Sequence, residues 1–303
     1  MVARETKTIS VIGAGTMGRG IAHAAASGGY RTILEDILPA TLRKAETEIR
    51  GNFDQGVKLG KLTREQADEA FGRIEFASSV EDAARAADMV IEAVPEEMES
   101  KLEIFTLLDK VCRPSTILAS NTSSLSVTEL ASVTYSPHRI VGMHFFNPVH
   151  KMKLLEIVRA LDSSDDAVGA AVEVGRRMGK EVVVIKESPG FITSRINAMI
   201  GNEAFYMLQE GIASAQDIDK AVKLGLNHPM GPFEMVDLVG LDTRLHVLEY
   251  LHKTLGEKYR PAPLLVQYVK AGRLGRKAGR GVFEYPEQQA GRTASAIASE
   301  DKQ

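Results

Sequence analysis

The segment HFFNPVHKMKLLE, residues 144–156, places His144 at the end of an apolar run. It then returns through Asn147-Pro148 to a carboxylate, Glu156, enclosed by Leu154, Leu155 and Ile157. A glutamate inside LLEIV is costly to bury unless something pairs with it. Imidazole is a fitting partner, because its pKa lies near neutrality and a carboxylate on one ring nitrogen fixes the tautomer and favours the imidazolium. The separation of twelve residues (156 − 144) accommodates a strand, a turn and a returning strand. Such a pair can take the proton from a hydroxyl, which oxidation of an alcohol by hydride loss requires. Two other readings attach to these residues. A histidine at a strand end is often a packing residue. His144, His150 and Glu156 could also ligate zinc, although no HExxH helix or cysteine cluster accompanies them.

A second motif supplies the hydride acceptor. VIGAGTMG, residues 11–18, follows an apolar strand pattern and opens a helix. Gly13 permits the tight turn, Gly15 lets backbone approach a pyrophosphate, and Gly18 allows close helix–strand packing. Thr16 and Met17 begin the helix, whose N-terminus offers N–H groups and a positive dipole to phosphates. Asp36 stands 23 residues after Gly13 (36 − 13), at the end of the next strand pattern. There it would accept hydrogen bonds from the adenosine ribose hydroxyls and repel a 2′-phosphate, favouring NAD over NADP. A helix N-cap is its other reading. The polar run Ser120-Asn121-Thr122-Ser123-Ser124 follows a further strand pattern and could bind a substrate hydroxyl or the nicotinamide ribose; Ser124 could instead cap a helix.

These residues need a scaffold, and the pattern predicts an α/β chain: an N-terminal Rossmann-type, mostly parallel sheet followed by an all-helical domain. Strands are expected over 8–12, 31–34, 89–94, 116–120, 140–144 and 182–185, with helices over 21–27, 39–50 and 98–109 between them. Thr63 and Gln66 have capping-box spacing. Ser188-Pro189-Gly190 breaks the pattern, and beyond it only helical periodicity appears, over 191–211, 216–224 and from Pro232. The expected domains are 1–187, binding NAD, and 188–303, binding substrate and dimerising. A length of 303 residues suits two domains. A net charge of −3 provides no field for nucleic acid or an anionic membrane, and no apolar run is long enough to span one. Cys112 is the sole cysteine, so no intrachain disulfide forms, as fits a reducing cytoplasm. No signal-peptide pattern opens the chain, and 288–303 is polar and expected to fray.

VIGAGTMGRGIA, ASNTSSL, HFFNPV with MKLLEIV, ESPGFI and HPMGPFEMVDLVGLD together resemble the short-chain L-3-hydroxyacyl-CoA dehydrogenase family, nearest its 3-hydroxybutyryl-CoA dehydrogenases. The resemblance covers nearly the whole chain. It implies NAD-dependent interconversion of a 3-hydroxyacyl-CoA and a 3-oxoacyl-CoA by a homodimer, in a cleft between the two domains. It makes His144 the general base, Glu156 its paired carboxylate and Ser123 the donor to the substrate's 3-oxygen. It assigns cofactor contacts to Glu96 and Lys101 in VPEEMESK, to Asn121, to Asn147 in HFFNP, and to Lys277 in LGRKAGRG. One departure stands out: the family's PGFxxNR asparagine is Ser194 here, in PGFITSR, with Asn197 nearly one helical turn on. A serine can still donate one hydrogen bond. Two rival functions remain at this level, a dehydrogenase of free sugar acids such as L-gulonate and a catalytically silent NAD-binding structural protein. The charged segment 43–61 is a candidate for CoA phosphates or simply a solvated face.

Overall fold

The computed structural model describes residues 5–286, so the polar tail at 288–303 lies outside the described residues. Two compact units divide between Ser188 and Pro189. The first carries β1 (Thr8–Ile12), α1 (Thr16–Ser27), β2 (Arg31–Glu35), α2 (Pro39–Lys58), α3 (Arg64–Gly72), β3 (Ile74–Ala77), α4 (Val80–Arg85) and β4 (Met89–Glu92). It continues with α5 (Met98–Val111), β5 (Ile117–Ser120), α6 (Val127–Ser132), β6 (Ile140–Phe145), β7 (Leu154–Arg159), α7 (Asp165–Arg177) and β8 (Glu181–Lys186). The second carries α8 (Thr193–Gln209), α9 (Ala215–Gly225), α10 (Pro232–Val239), α11 (Leu241–Leu255) and α12 (Pro263–Lys270).

The eight strands form one sheet in the order β3-β2-β1-β4-β5-β6-β7-β8. From β3 to β6 all neighbours are parallel; β7 runs antiparallel to β6, and β8 follows β7. Chain direction across the sheet reverses between β1 and β4, where the carboxyl ends of the strands leave a crevice. Alternation along each strand divides the core. Ile9, Val11, Leu34, Ile91, Ala119, Met143 and Leu155 pack with Ile21, Ile49 and Phe53 of the α1 and α2 side. Their strand neighbours Ile12, Ile33, Val90 and Leu118 are as deeply buried and face the other way.

Local chemistry sets the helix starts. Thr63 Oγ1 accepts from the Gln66 N–H while Gln66 Oε1 accepts from the Thr63 N–H, closing a capping box. Pro232 opens α10, where Glu234 accepts the Gly231 N–H and Asp219 accepts the N–H groups of Phe233 and Glu234. The second unit buries Phe205, Phe233, Val236, Leu248 and Leu251 in its own core.

Three expectations shift. α2 extends to Lys58 rather than stopping near Arg50. α8 starts at Thr193, not Phe191, because Gly190 and Phe191 take φ of 72° and 50°, and two left-handed residues in succession cannot belong to a right-handed helix. Asp36 is not the N-cap of α2; that position is Leu38, with no side-chain cap.

Candidate active site

Gly13 turns the chain at φ 95°, and a Cβ there would lie 2.8 Å from the Ala93 carbonyl oxygen. A Cβ on Gly18 would lie 1.7 Å from the Gly13 carbonyl oxygen, so even alanine would force the helix off the turn. At Gly15 nothing lies within 4 Å of the Cβ position. That glycine borders open space, and α1 begins there with Thr16 exposed, Met17 packed on the core, no side-chain cap and no acidic residue in its first turn. The N–H groups of that turn are thus set to receive an anion such as a dinucleotide pyrophosphate, and the residues fit NAD. Asp36 is held ready beside them: Oδ2 accepts the Ala14 N–H at 3.0 Å and Oδ1 the Leu38 N–H at 2.9 Å. Glu35, next to it, is 2 % exposed, and its Oε1 meets no hydrogen-bond donor among the described residues. Burial first, then Asp36, raises its carboxyl to about 7.

Across the crevice, β4 ends in Glu92, fully buried. Glu92 Oε1 accepts from Lys101 Nζ at 2.7 Å and from the Val94 N–H at 2.7 Å, and Oε2 accepts from Ser120 Oγ at 2.6 Å. Burial raises its carboxyl, against the pull of the Lys101 ammonium and these hydrogen bonds. Lys101, also buried, lies 3.3 Å from Glu96 Oε2. Glu96 Oε1 accepts from Thr122 Oγ1 at 2.6 Å, from the Ser123 N–H at 2.7 Å and from Ser123 Oγ at 3.2 Å. The Thr122 N–H returns to Ser120 Oγ at 3.2 Å.

His144 and Glu156 occupy directly opposed positions of the antiparallel β6–β7 pair, where side chains on one face approach closely. Nδ1 of His144 lies 2.7 Å from Oε2 of Glu156, with side chains 7 % and 1 % exposed. A carboxylate there selects the tautomer with the proton on Nδ1. The ring also lies 4.4 Å from that of Phe146. Asn121 Oδ1 accepts the Phe145 N–H at 3.0 Å, tying the polar loop after β5 to the strand end that carries His144. Asn147 is half-buried just beyond, in a cis peptide bond with Pro148. His150 lies beside His23 instead, ring centres 5.7 Å apart, and His23 stacks on Phe53. Among the described residues no group of three or more His, Cys, Asp or Glu could hold a metal ion.

The glycine turn, Asp36, Glu96, Lys101, Asn121, Ser123, His144, Asn147 and Glu156 all belong to the first unit, at or just past the carboxyl ends of β1, β2, β4, β5 and β6 or opposite them. Ser194 and Lys277 belong to the second. Ser194 occupies the first turn of α8, and Lys277 Nζ lies 2.7 Å from both carboxylate oxygens of Asp242. Sequence reasoning missed Glu92, and it read Ser120 and Thr122 as candidate ligand contacts rather than as partners of Glu92 and Glu96. The signal was present: Glu92 interrupts the apolar run MVIEAV as Glu156 interrupts LLEIV.

Two family models match the chain, the NAD-binding domain of 3-hydroxyacyl-CoA dehydrogenase over residues 8–188 and the C-terminal domain of 3-hydroxyacyl-CoA dehydrogenase over 190–285. A probable 3-hydroxybutyryl-CoA dehydrogenase of Bacillus subtilis is 45% identical over 285 residues, covering 94% of this chain and 99% of that protein. The 3-hydroxybutyryl-CoA dehydrogenase of Bradyrhizobium diazoefficiens is 44% identical, covering 94% and 97%. The crystal structure of (S)-3-hydroxybutyryl-CoA dehydrogenase from Ralstonia eutropha superposes with a TM-score of 0.91 at 43% identity, covering 93% of this chain and 100% of that one.

Proposed function

The chain belongs to the 3-hydroxyacyl-CoA dehydrogenase family, an NAD-dependent oxidoreductase of that kind, and on that premise we propose that it interconverts 3-hydroxybutyryl-CoA and its 3-oxo product with His144 as general base. The observation that carries this reading is the buried His144–Glu156 pair, 2.7 Å apart at opposed positions of β6 and β7.

NAD would supply the hydride acceptor, held by the Gly13–Gly18 turn and Asp36, with Glu96, Asn121, Asn147 and Lys277 as further contacts and the buried Lys101 serving the cofactor from behind Glu96. Ser123 donates a hydrogen bond to the substrate's 3-oxygen and fixes it. His144 takes the hydroxyl proton on Nε2 while Nδ1–H stays with Glu156, so the imidazolium forms against a carboxylate already in place. In the reverse direction the same nitrogen returns the proton to the developing alkoxide. Ser194 takes the place of the family's asparagine, donating through one hydroxyl. Substrate binding and the pairing of two copies are the roles we assign to the second unit, which exposes Ile196, Leu224 and Leu226. A cytoplasmic enzyme of fatty-acid β-oxidation is the setting we infer, which the free, buried Cys112 suits.

His144→Gln is expected to lower kcat with acetoacetyl-CoA and NADH by ~10²–10⁴-fold. Wild-type turnover by that variant would remove the base from the mechanism. In the unaltered enzyme, rapid NADH loss with acetoacetyl-CoA supports this reading. Activity confined to sugar acids, or tight NADH binding without turnover, sinks it. Ser194→Asn should stay active in the same assay; a folded but inactive protein would show that position 194 is misassigned.

A further inference from the structure

The polar groups behind Ser123 close into a ring. Glu92 Oε1 meets Lys101 Nζ at 2.7 Å, Lys101 meets Glu96 Oε2 at 3.3 Å, and Glu96 Oε1 meets Thr122 Oγ1 at 2.6 Å. The Thr122 N–H then donates to Ser120 Oγ, whose hydroxyl donates back to Glu92 Oε2. Five residues from β4, the loop after it, α5, the end of β5 and the polar loop therefore share one circuit. Its ammonium lies between two carboxylates, and Glu92 and Lys101 are no more than 1 % exposed.

We propose that Glu92 is a positioning residue for the dehydrogenase reaction, acting through Lys101 and Glu96, and through Ser120 and Thr122, to hold Ser123 where its hydroxyl meets the substrate's 3-oxygen. The proposal rests on the assignment of Ser123 as that donor. The bond lengths fit the role. Glu96 grips the Ser123 backbone N–H at 2.7 Å but its hydroxyl only at 3.2 Å. The main chain is clamped, and the hydroxyl is the weaker bond, the one to be given up when a better acceptor arrives. The Glu92 side chain lies too deep to touch a ligand, and it accepts from Lys101 and Ser120 of the ring and from Val94 of its own turn. Without its charge, Lys101 would turn fully to Glu96, and Glu96 would lose its hold on the serine.

Glu92→Gln keeps the shape and sets an amide N–H against donors already aimed at the carboxylate. Losing charged hydrogen bonds of this kind corresponds to roughly 10–10²-fold. We expect that drop in kcat with acetoacetyl-CoA. In a Ser123→Ala background the same substitution should cost less than about 2-fold, because the route it acts through has gone. Equal losses in both backgrounds would overturn the proposal, since a merely structural loss would not depend on the Ser123 hydroxyl. If Glu92→Gln does not fold, Ser120→Ala opens the ring from its other side and must show the same dependence on Ser123. A Ser123→Ala enzyme at the wild-type rate is a separate failure, read from that single variant, and removes the donor assignment beneath the proposal.

Discussion

Glu92 and Glu156 are both carboxylates buried in one sheet, on the same face, each within 2.7 Å of a side-chain nitrogen. They differ in what that nitrogen can do. Glu156 faces an imidazole, whose second ring nitrogen can take a proton and return it; Glu92 faces an ammonium, which has three N–H donors and no lone pair to accept one. The first pairing can move a proton, while the second can only hold geometry. One fold thus spends the same costly element, a buried carboxylate, on chemistry at β6–β7 and on placement at β4–α5.

The contrast can be broken at either end. Glu156→Gln should cost most in rate: with the tautomer no longer enforced, kcat is expected to fall by ~10²–10⁴-fold with the fold intact, as loss of a histidine-orienting carboxylate does elsewhere. A loss below 10-fold, in steady-state assays of NADH oxidation, would mean that the pair is packing alone.

Lys101→Met tests the other end through stability. It strands Glu92 without its cation, and breaking a buried pair this way costs about 3–5 kcal/mol. Glu92→Met added to it should restore much of that loss in urea denaturation, since the doubly apolar pair leaves no buried charge. Failure of the second substitution to rescue the first would show that the ring's other members, not the ion pair, bear the cost.

Glu35 sharpens the comparison as another buried carboxylate on that face, one with no cation beside it among the described residues. Its carboxyl, raised to about 7 by burial and then by Asp36, keeps a proton in the folded chain that the unfolded chain, with its value at 4.5, has released. Stability should therefore fall as pH rises from 4.5 through 7 and level off above. Glu35→Gln should remove that slope, stabilising the protein by about 3 kcal/mol at pH 8 and little at pH 4.5. Denaturation midpoints at the two pH values check it.

Much of this was legible because it is local. The turn at 13–18 and the capping box at Thr63 are read from spacing, since their partners lie within a few residues. His144 and Glu156 could be read as neighbours because a carboxylate in an apolar run demands a partner and the intervening turn allows one. Glu92 carried the same demand, but its partners Lys101 and Ser120 come from a helix and from another strand, and no spacing ties either to it. The four-residue β3 and the six-residue α4 escaped because neither is long enough to display a period. The start of α8 was misplaced because apolar spacing carries no record of φ at Gly190 and Phe191. Strand order, which puts β1 beside β4, depends on pairings some 80 residues apart that no local pattern encodes.

Because β7 reverses direction, His144 and Glu156 meet through strand register, with Phe146 packed beside the imidazole. The exposed positions Met152 and Lys153 of the returning segment should therefore accept other side chains while the couple, aimed by the two strands, stays where it is.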